Sequence, residues 1–189
     1  MPVLITIAVI VLTPIIFVIA TYNALIGLKN HIKDAWANID TELKRRYELI
    51  PNLVNTVKGY AAHEQQVFTQ ITELRSKCIA NTGNVSQQCG TEQLLVGALQ
   101  KLLAVVENYP KLKADTNFLQ LQQELVNTED RIQAARRFYN GNVRDYKNKC
   151  QMFPSSIVAG LFGFESQDYF NVDSAVREVP SIDLTTNNL

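Results

Sequence analysis

The hydrophobic pattern changes character early in the chain. From Val3 to Ala20 apolar residues run almost unbroken, with thirteen Ile, Val, Leu or Phe, and no charged residue or histidine occurs before Lys29. On a membrane-insertion scale those thirteen favour the bilayer by about 4–8 kcal/mol, against modest costs from Thr6, Thr13 and Pro14. At ~1.5 Å per residue the run is long enough to cross the hydrocarbon layer, and a proline is tolerated in such a helix. Tyr22 and Asn23 suit the membrane–water boundary. The pattern predicts a transmembrane anchor over residues 1–28. A cleaved signal peptide fits less well, because no basic segment precedes the run and its length exceeds a signal core. Lys29, Lys33, Lys44, Arg45 and Arg46 follow the run and none precedes it. The positive-inside rule then puts the N-terminus outside and the remainder in the cytoplasm.

Beyond the anchor the period becomes helical. Trp36, Leu43, Ile50, Val57, Ile71 and Cys78 recur on a seven-residue grid interrupted at Glu64. Ile39, Leu53, Tyr60, Val67 and Leu74 form a companion row that includes Arg46. This stripe predicts one long helix from the membrane to about Ala80, kinked by Pro51 near Arg46 and Tyr47. NTGNVSQQCG, residues 81–90, predicts a polar turn. Leu94, Leu95, Ala98, Leu102, Val105 and Val106 predict a shorter helix ended by Pro110. Phe118, Leu125, Ile132, Tyr139 and Tyr146 are each seven apart, flanked by Leu121, Thr128 and Ala135. They predict a helix of roughly 35 residues with a coiled-coil-like seam, opened by Asp115 or Thr116. Residues 157–161 predict a short last helix.

With no strand-like alternation and no Rossmann-type glycine pattern, the fold class is all-α: an N-terminal transmembrane helix continuing into an antiparallel bundle of long helices. The organisation expected is an anchor over 1–28, a helical bundle over 29–170 and a flexible polar tail over 171–189. Within that tail, residues 179–184 could form a short extended binding segment.

Composition adds little beyond exclusions. Charged residues make up 19% of the chain, below the ~25% usual for soluble domains, and the deficit lies in the anchor. A net charge of zero gives no electrostatic case for nucleic acid or an acidic membrane surface as the main partner. Three cysteines without CxxC spacing read as free thiols of a reducing compartment.

The search for chemistry comes back nearly empty. His63-Glu64 begins like a zinc-protease HExxH, but Val67 stands where the second histidine belongs. His31 is the other histidine, and neither has a nucleophile signature near it. Glu124, Glu129 and Asp130 lack the Glu-x-x-His pairs of a di-iron bundle. No catalytic, cofactor-binding or metal-ligating residue is expected, and no cofactor or small-molecule substrate.

Two features point to interactions instead. Lys44, Arg45 and Arg46 stand 100° apart on a helix and cannot share a face, and only Arg46 falls in the apolar row. All three could be surface cations lying on their own stems. Alternatively, Arg46 reaches into the seam and meets Glu129 on the facing helix, a clamp that fixes register. The second feature is FPSSIVAGLFGFESQDYF, with Phe153, Ile157, Val158, Leu161, Phe162, Phe164, Tyr169 and Phe170 within eighteen residues. Either it folds back to cap the bundle, or it exposes an apolar patch for another subunit or the bilayer.

Three stretches carry a resemblance: AWANIDTELKRRYELIPNLVNTVKGYAAHE (35–64), YPKLKADTNFLQLQQELVNTEDRIQAARRFYNGNV (109–143) and FPSSIVAGLFGFESQDYF (153–170). Together they resemble the LemA family of bacterial single-pass membrane proteins, over about residues 30–170. The resemblance implies a helical bundle on the cytoplasmic side of the bacterial inner membrane and brings no catalytic residues. Some members are implicated in membrane shaping, and others are associated with an HtpX-type membrane metalloprotease. The expected function is a membrane-anchored, non-enzymatic helical scaffold that forms a homo-oligomer and organises the bilayer or membrane proteins. The alternative is an accessory subunit that modulates such a protease.

Overall fold

The computed structural model describes residues 2–170, and the predicted tail at 171–189 lies outside them. The described residues form six helices and no strand: α1 (Pro2–Lys58), α2 (Gln65–Ala80), α3 (Val85–Val106), α4 (Pro110–Lys113), α5 (Thr116–Gln151) and α6 (Ser155–Leu161). The chain is all-α.

The predicted single helix ending near Ala80 is two helices. α1 stops at Lys58 because Gly59 and Tyr60 fold into a tight turn, with the Tyr60 and Ala61 amides both donating to the Val57 carbonyl at 3.0 and 2.9 Å. The interruption at Glu64 marks the place, since Glu64 is the N-cap position of α2. Pro51 does not end α1. Its missing N–H leaves the Tyr47 carbonyl without its usual helical donor. Arg75 on α2 supplies one, its Nε donating to that carbonyl at 2.7 Å. A helical defect thus becomes a link between two helices.

Two further boundaries move. The turn predicted over 81–90 closes by Asn84, whose side chain caps α3 by accepting from the Gln87 amide at 2.9 Å. α3 therefore begins nine residues before Leu94, the first position of the predicted helix, and Leu94 itself is exposed while Leu99 and Cys89 are buried. Pro110 opens α4 instead of ending α3, a first-turn position where its lack of an N–H costs nothing. α5 and α6 match the expectation closely. Asp115 caps α5, accepting from the Phe118 amide at 2.9 Å, and it also accepts from the Tyr60 hydroxyl at 3.0 Å. The amide and the phenol together hold its carboxyl below the ordinary range.

α1 and α5 form the principal antiparallel pair, and the α2–α3 hairpin lies against them. The register is regular. Trp36 meets Tyr139, Arg46 meets Glu129 and Tyr60 reaches Asp115, so each step forward on α1 matches an equal step back on α5. Phe118, Leu125, Ile132, Tyr139 and Tyr146 all point inward to meet Leu25, Ile32, Ile39, Leu43, Ile50, Leu53 and Val57 in one core.

At the other end the protein layer stops. Leu25 is fully buried and Thr21 nearly so, whereas the apolar residues from Val9 to Leu12 and from Ile15 to Phe17 are exposed. α1 leaves the bundle there as a bare apolar helix. It is long and apolar enough to cross a membrane. α3 meets the same length and hydropathy criterion, but its apolar side is spent on the core and it carries the buried Glu92.

Candidate functional site: a buried ionic clamp and an apolar collar

The largest fully buried side chain in the bundle is a charged one. Arg46 is 0% exposed, and burying a lone guanidinium would cost several kcal/mol, so its partners decide whether the fold tolerates it. Its Nη1 donates to Glu129 Oε1 on α5 at 2.8 Å. Its Nη2 forms an ion pair with Glu92 Oε2 on α3, and the other oxygen of Glu92 accepts from the Tyr47 hydroxyl. With Arg75 holding the Tyr47 carbonyl, one polar chain ties α2, α1, α3 and α5 at a single level. Arg46 Nε finds no hydrogen-bond acceptor among the described residues.

Burial pushes the Tyr47 pKa up to about 12. The phenol therefore stays protonated and serves as a donor to Glu92. The two carboxylates are not equivalent, because Glu92 is almost wholly buried while Glu129 keeps 29% of its side chain exposed. Lys44 and Arg45, the neighbours of Arg46, stay on the surface and pair locally with Asp40 and Glu42.

Of the two arrangements the sequence left open for Arg46, the structure has the one in which it meets Glu129. It also brings in Glu92, which the sequence reading missed. The signal was available. Glu92, Leu95, Leu99, Leu102 and Val106 are all buried and follow 3,4,3,4 spacing, so Glu92 is a charge in a seam position. Starting the helix at Leu94 cut it off.

The second feature lies where α1 leaves the bundle. α5 ends at Gln151, α6 follows, and the chain then runs back toward the clamp as an extended strap over 164–170. The reversal is a Schellman cap: the Phe164 amide donates to Ala159 O at 3.0 Å, the Gly163 amide to Gly160 O at 3.4 Å, and Gly163 takes φ 67. Tyr146 donates to Glu165 O at 3.0 Å, and Tyr139 to Asp168 O at 2.9 Å. Burial raises both phenols to about 12, which keeps these donors protonated. Asn140 pairs with both backbone groups of Phe170, at 3.0 and 2.8 Å. Phe170 is buried between Trp36, with ring centroids 5.9 Å apart, and the Arg136 guanidinium, 4.4 Å over its ring. Burial, with Arg46 nearby, lowers the Arg136 pKa.

The apolar residues singled out in this segment therefore divide. Val158 and Phe170 are core, and Phe164 and Tyr169 are half-buried against it. Phe153, Ile157, Leu161 and Phe162 face outward at 82%, 62%, 74% and 49% exposure. The segment caps the bundle with one face and exposes the other.

His63 and Glu64 sit in the turn between α1 and α2, and His31 lies far along α1. Among the described residues no cluster of three or more His, Cys, Asp or Glu is placed to hold a metal ion.

Fold and site define a membrane-associated helical bundle that carries its apolar N-terminal helix as an extension of its own core. The LemA family model matches residues 35–184, and the chain belongs to the LemA family. It is 24% identical to the magnetosome protein MamQ of Magnetospirillum gryphiswaldense, over 90% of this chain and 73% of that protein. It is 25% identical to magnetosome protein MamQ 2 of Paramagnetospirillum magneticum, over 79% of this chain and 64% of that protein. It is 28% identical to protein LemA of Metamycoplasma hominis, over 88% of this chain and 74% of that protein.

Proposed function

We propose that the chain is a membrane-anchored, non-enzymatic scaffold that self-associates and organises the bilayer or proteins within it. The observation that carries this reading is α1 itself, one helix of 57 residues. It passes without a break from the apolar run through the clamp, making the bundle a stiff extension of the anchor. The clamp is spent on joining helices, and an ion pair buried in this way serves register better than net stability. Relatives named as magnetosome proteins fit the same reading. So do the exposed Leu119, Val126 and Phe138 on α5, which offer apolar contact for a neighbouring copy.

Parallel anchors restrict the subunits to one orientation, so the assembly is a homo-oligomer with its axis along the membrane normal. Light scattering of the protein extracted in mild detergent with its lipids should report several copies per particle. A monodisperse monomer under those conditions would overturn self-association, and a monomer that enlarges only with a membrane protease added would favour the accessory role.

The basic residues from Lys29 onward, with none before the apolar run, support a cytoplasmic bundle. Thr82→Cys, exposed in the α2–α3 turn, should resist a membrane-impermeant maleimide in intact cells and label after lysis, with Cys78, Cys89 and Cys150 replaced. Labelling before lysis would reverse the orientation.

A further inference from the structure

Residues 152–164, MFPSSIVAGLFGF, contain no charged side chain. That is unusual for a connection on the surface of a bundle, where loops are ordinarily polar. α6 explains only half of it. Its inner face, Ser155, Val158 and Ala159, is buried. Ile157 and Leu161 stand four residues apart on the opposite face, exposed, with Met152, Phe153 and Phe162 exposed in the flanks.

The position of this face identifies what covers it. Fourteen residues back from Trp36 on α1 is Tyr22, and fourteen residues on from Tyr139 is Phe153, so the antiparallel register brings α5 to its end level with Tyr22. The contacts agree: the Tyr22 ring meets Phe162 at 4.9 Å and Phe164 at 5.6 Å, both edge-on. Tyr22 is also where α1 loses its protein neighbours and becomes the bare apolar helix. About twenty residues lie between Pro2 and Tyr22, ~30 Å of helix, which matches one hydrocarbon thickness. The exposed face of α6 therefore starts at the membrane boundary, continuous with the lipid-facing surface of α1.

We infer that α6 and its flanks are a second membrane attachment, with Phe153, Ile157, Leu161 and Phe162 inserted into the interfacial layer of the bilayer beside the anchor. A short helix lying in the interface with one apolar face down is a stable arrangement when its other face is already satisfied, and here Val158 and Ala159 are held by the bundle. The half-buried Lys149 in the last turn of α5 and Lys29 on α1 lie near this level and suit anionic headgroups. The inference rests on reading the N-terminal helix as the membrane span, and the test separates the two.

The full chain, reconstituted in vesicles of zwitterionic and anionic phospholipid with brominated acyl chains, provides the readout. Native Trp36 lies fourteen residues beyond Tyr22, ~21 Å from the boundary, and should keep its emission, serving as the internal reference. Ile157→Trp should add blue-shifted emission that brominated lipid largely quenches. Ile15→Trp, in the span, should be quenched as well, and Phe138→Trp, exposed on α5 away from the boundary, should not. Quenching at position 15 without quenching at 157 would overturn the second attachment and leave the anchor standing. No quenching at either position would remove the anchor reading too. Blue-shifted, unquenched emission at 157 that reverts on dilution into excess lipid would assign the face to a second copy of the chain and reject the bilayer. Leu161→Trp, tested in parallel, guards against a local folding defect at 157: quenching there supports the attachment, and its absence counts against it.

Discussion

Arg46→Ala should destabilise the protein by about 3–5 kcal/mol, the range for removing one partner of a buried ion pair. The loss comes mostly from what is left behind. Glu92 would remain buried with no counter-charge, facing only the Tyr47 hydroxyl. Glu92→Ala should cost somewhat less, because the buried Arg46 guanidinium keeps Glu129 as its one remaining carboxylate partner. Glu129→Ala should cost less, toward the ~1 kcal/mol or below of exposed pairs, because water already reaches its side chain. The effects should not add, since Arg46 is shared. The pair Arg46→Met with Glu92→Met should recover much of the loss by removing both buried charges together. Urea unfolding of the full chain in detergent, followed by far-ultraviolet circular dichroism, measures all four. An Arg46→Ala variant within ~1 kcal/mol of the parent would show that the clamp contributes little to holding the helices.

Phe170→Ala should lower stability by about 3–5 kcal/mol, the usual cost of emptying a buried phenylalanine site. The change also removes the ring under the Arg136 guanidinium, whose Nε has no hydrogen-bond acceptor among the described residues. The cation would then lose its face contact as well as its cover. Phe170→Leu keeps most of the volume and should cost nearer ~1.5 kcal/mol. Hydrogen exchange locates the effect. The Phe170 amide, bonded to Asn140, should exchange much faster in the alanine variant, along with the rest of 164–170, while the middle of α5 stays protected. Unchanged exchange in the strap would show that Phe170 does not hold it in place.

How far the sequence could be read depended on how many partners each helix serves. The α5 seam was legible because that helix presents one face to one long neighbour, so a strict seven-residue repeat survives from Phe118 to Tyr146. The end of α1 was not, because Ile71 and Cys78 fall on the grid set by Leu43, Ile50 and Val57 although a six-residue turn separates them. Periodicity cannot register a break that preserves its phase. The clamp was half legible. Arg46 and Glu129 lie on the pair of helices whose repeats were clear. Glu92, Tyr47 and Arg75 depend on where the α2–α3 hairpin sits, and that is decided by packing. In the collar, hydrophobicity alone could not divide inner from outer residues, and only the phase of α6 separates Val158 from Ile157.

The unbroken course of α1 has a mechanical consequence. Arg46 lies twenty-four residues beyond Tyr22, about 36 Å along the same axis. Transmembrane helices tilt to match the thickness of the lipid around them. A 10° change of tilt pivoting near Tyr22 would swing the level of the clamp sideways by ~6 Å, given that length. Because Arg46 is bound to α3 and α5 there, the bundle must travel with it. With α1 as the membrane span proposed above, the molecule would act as a lever with its short arm in the bilayer, turning differences in membrane thickness into displacement at its far end.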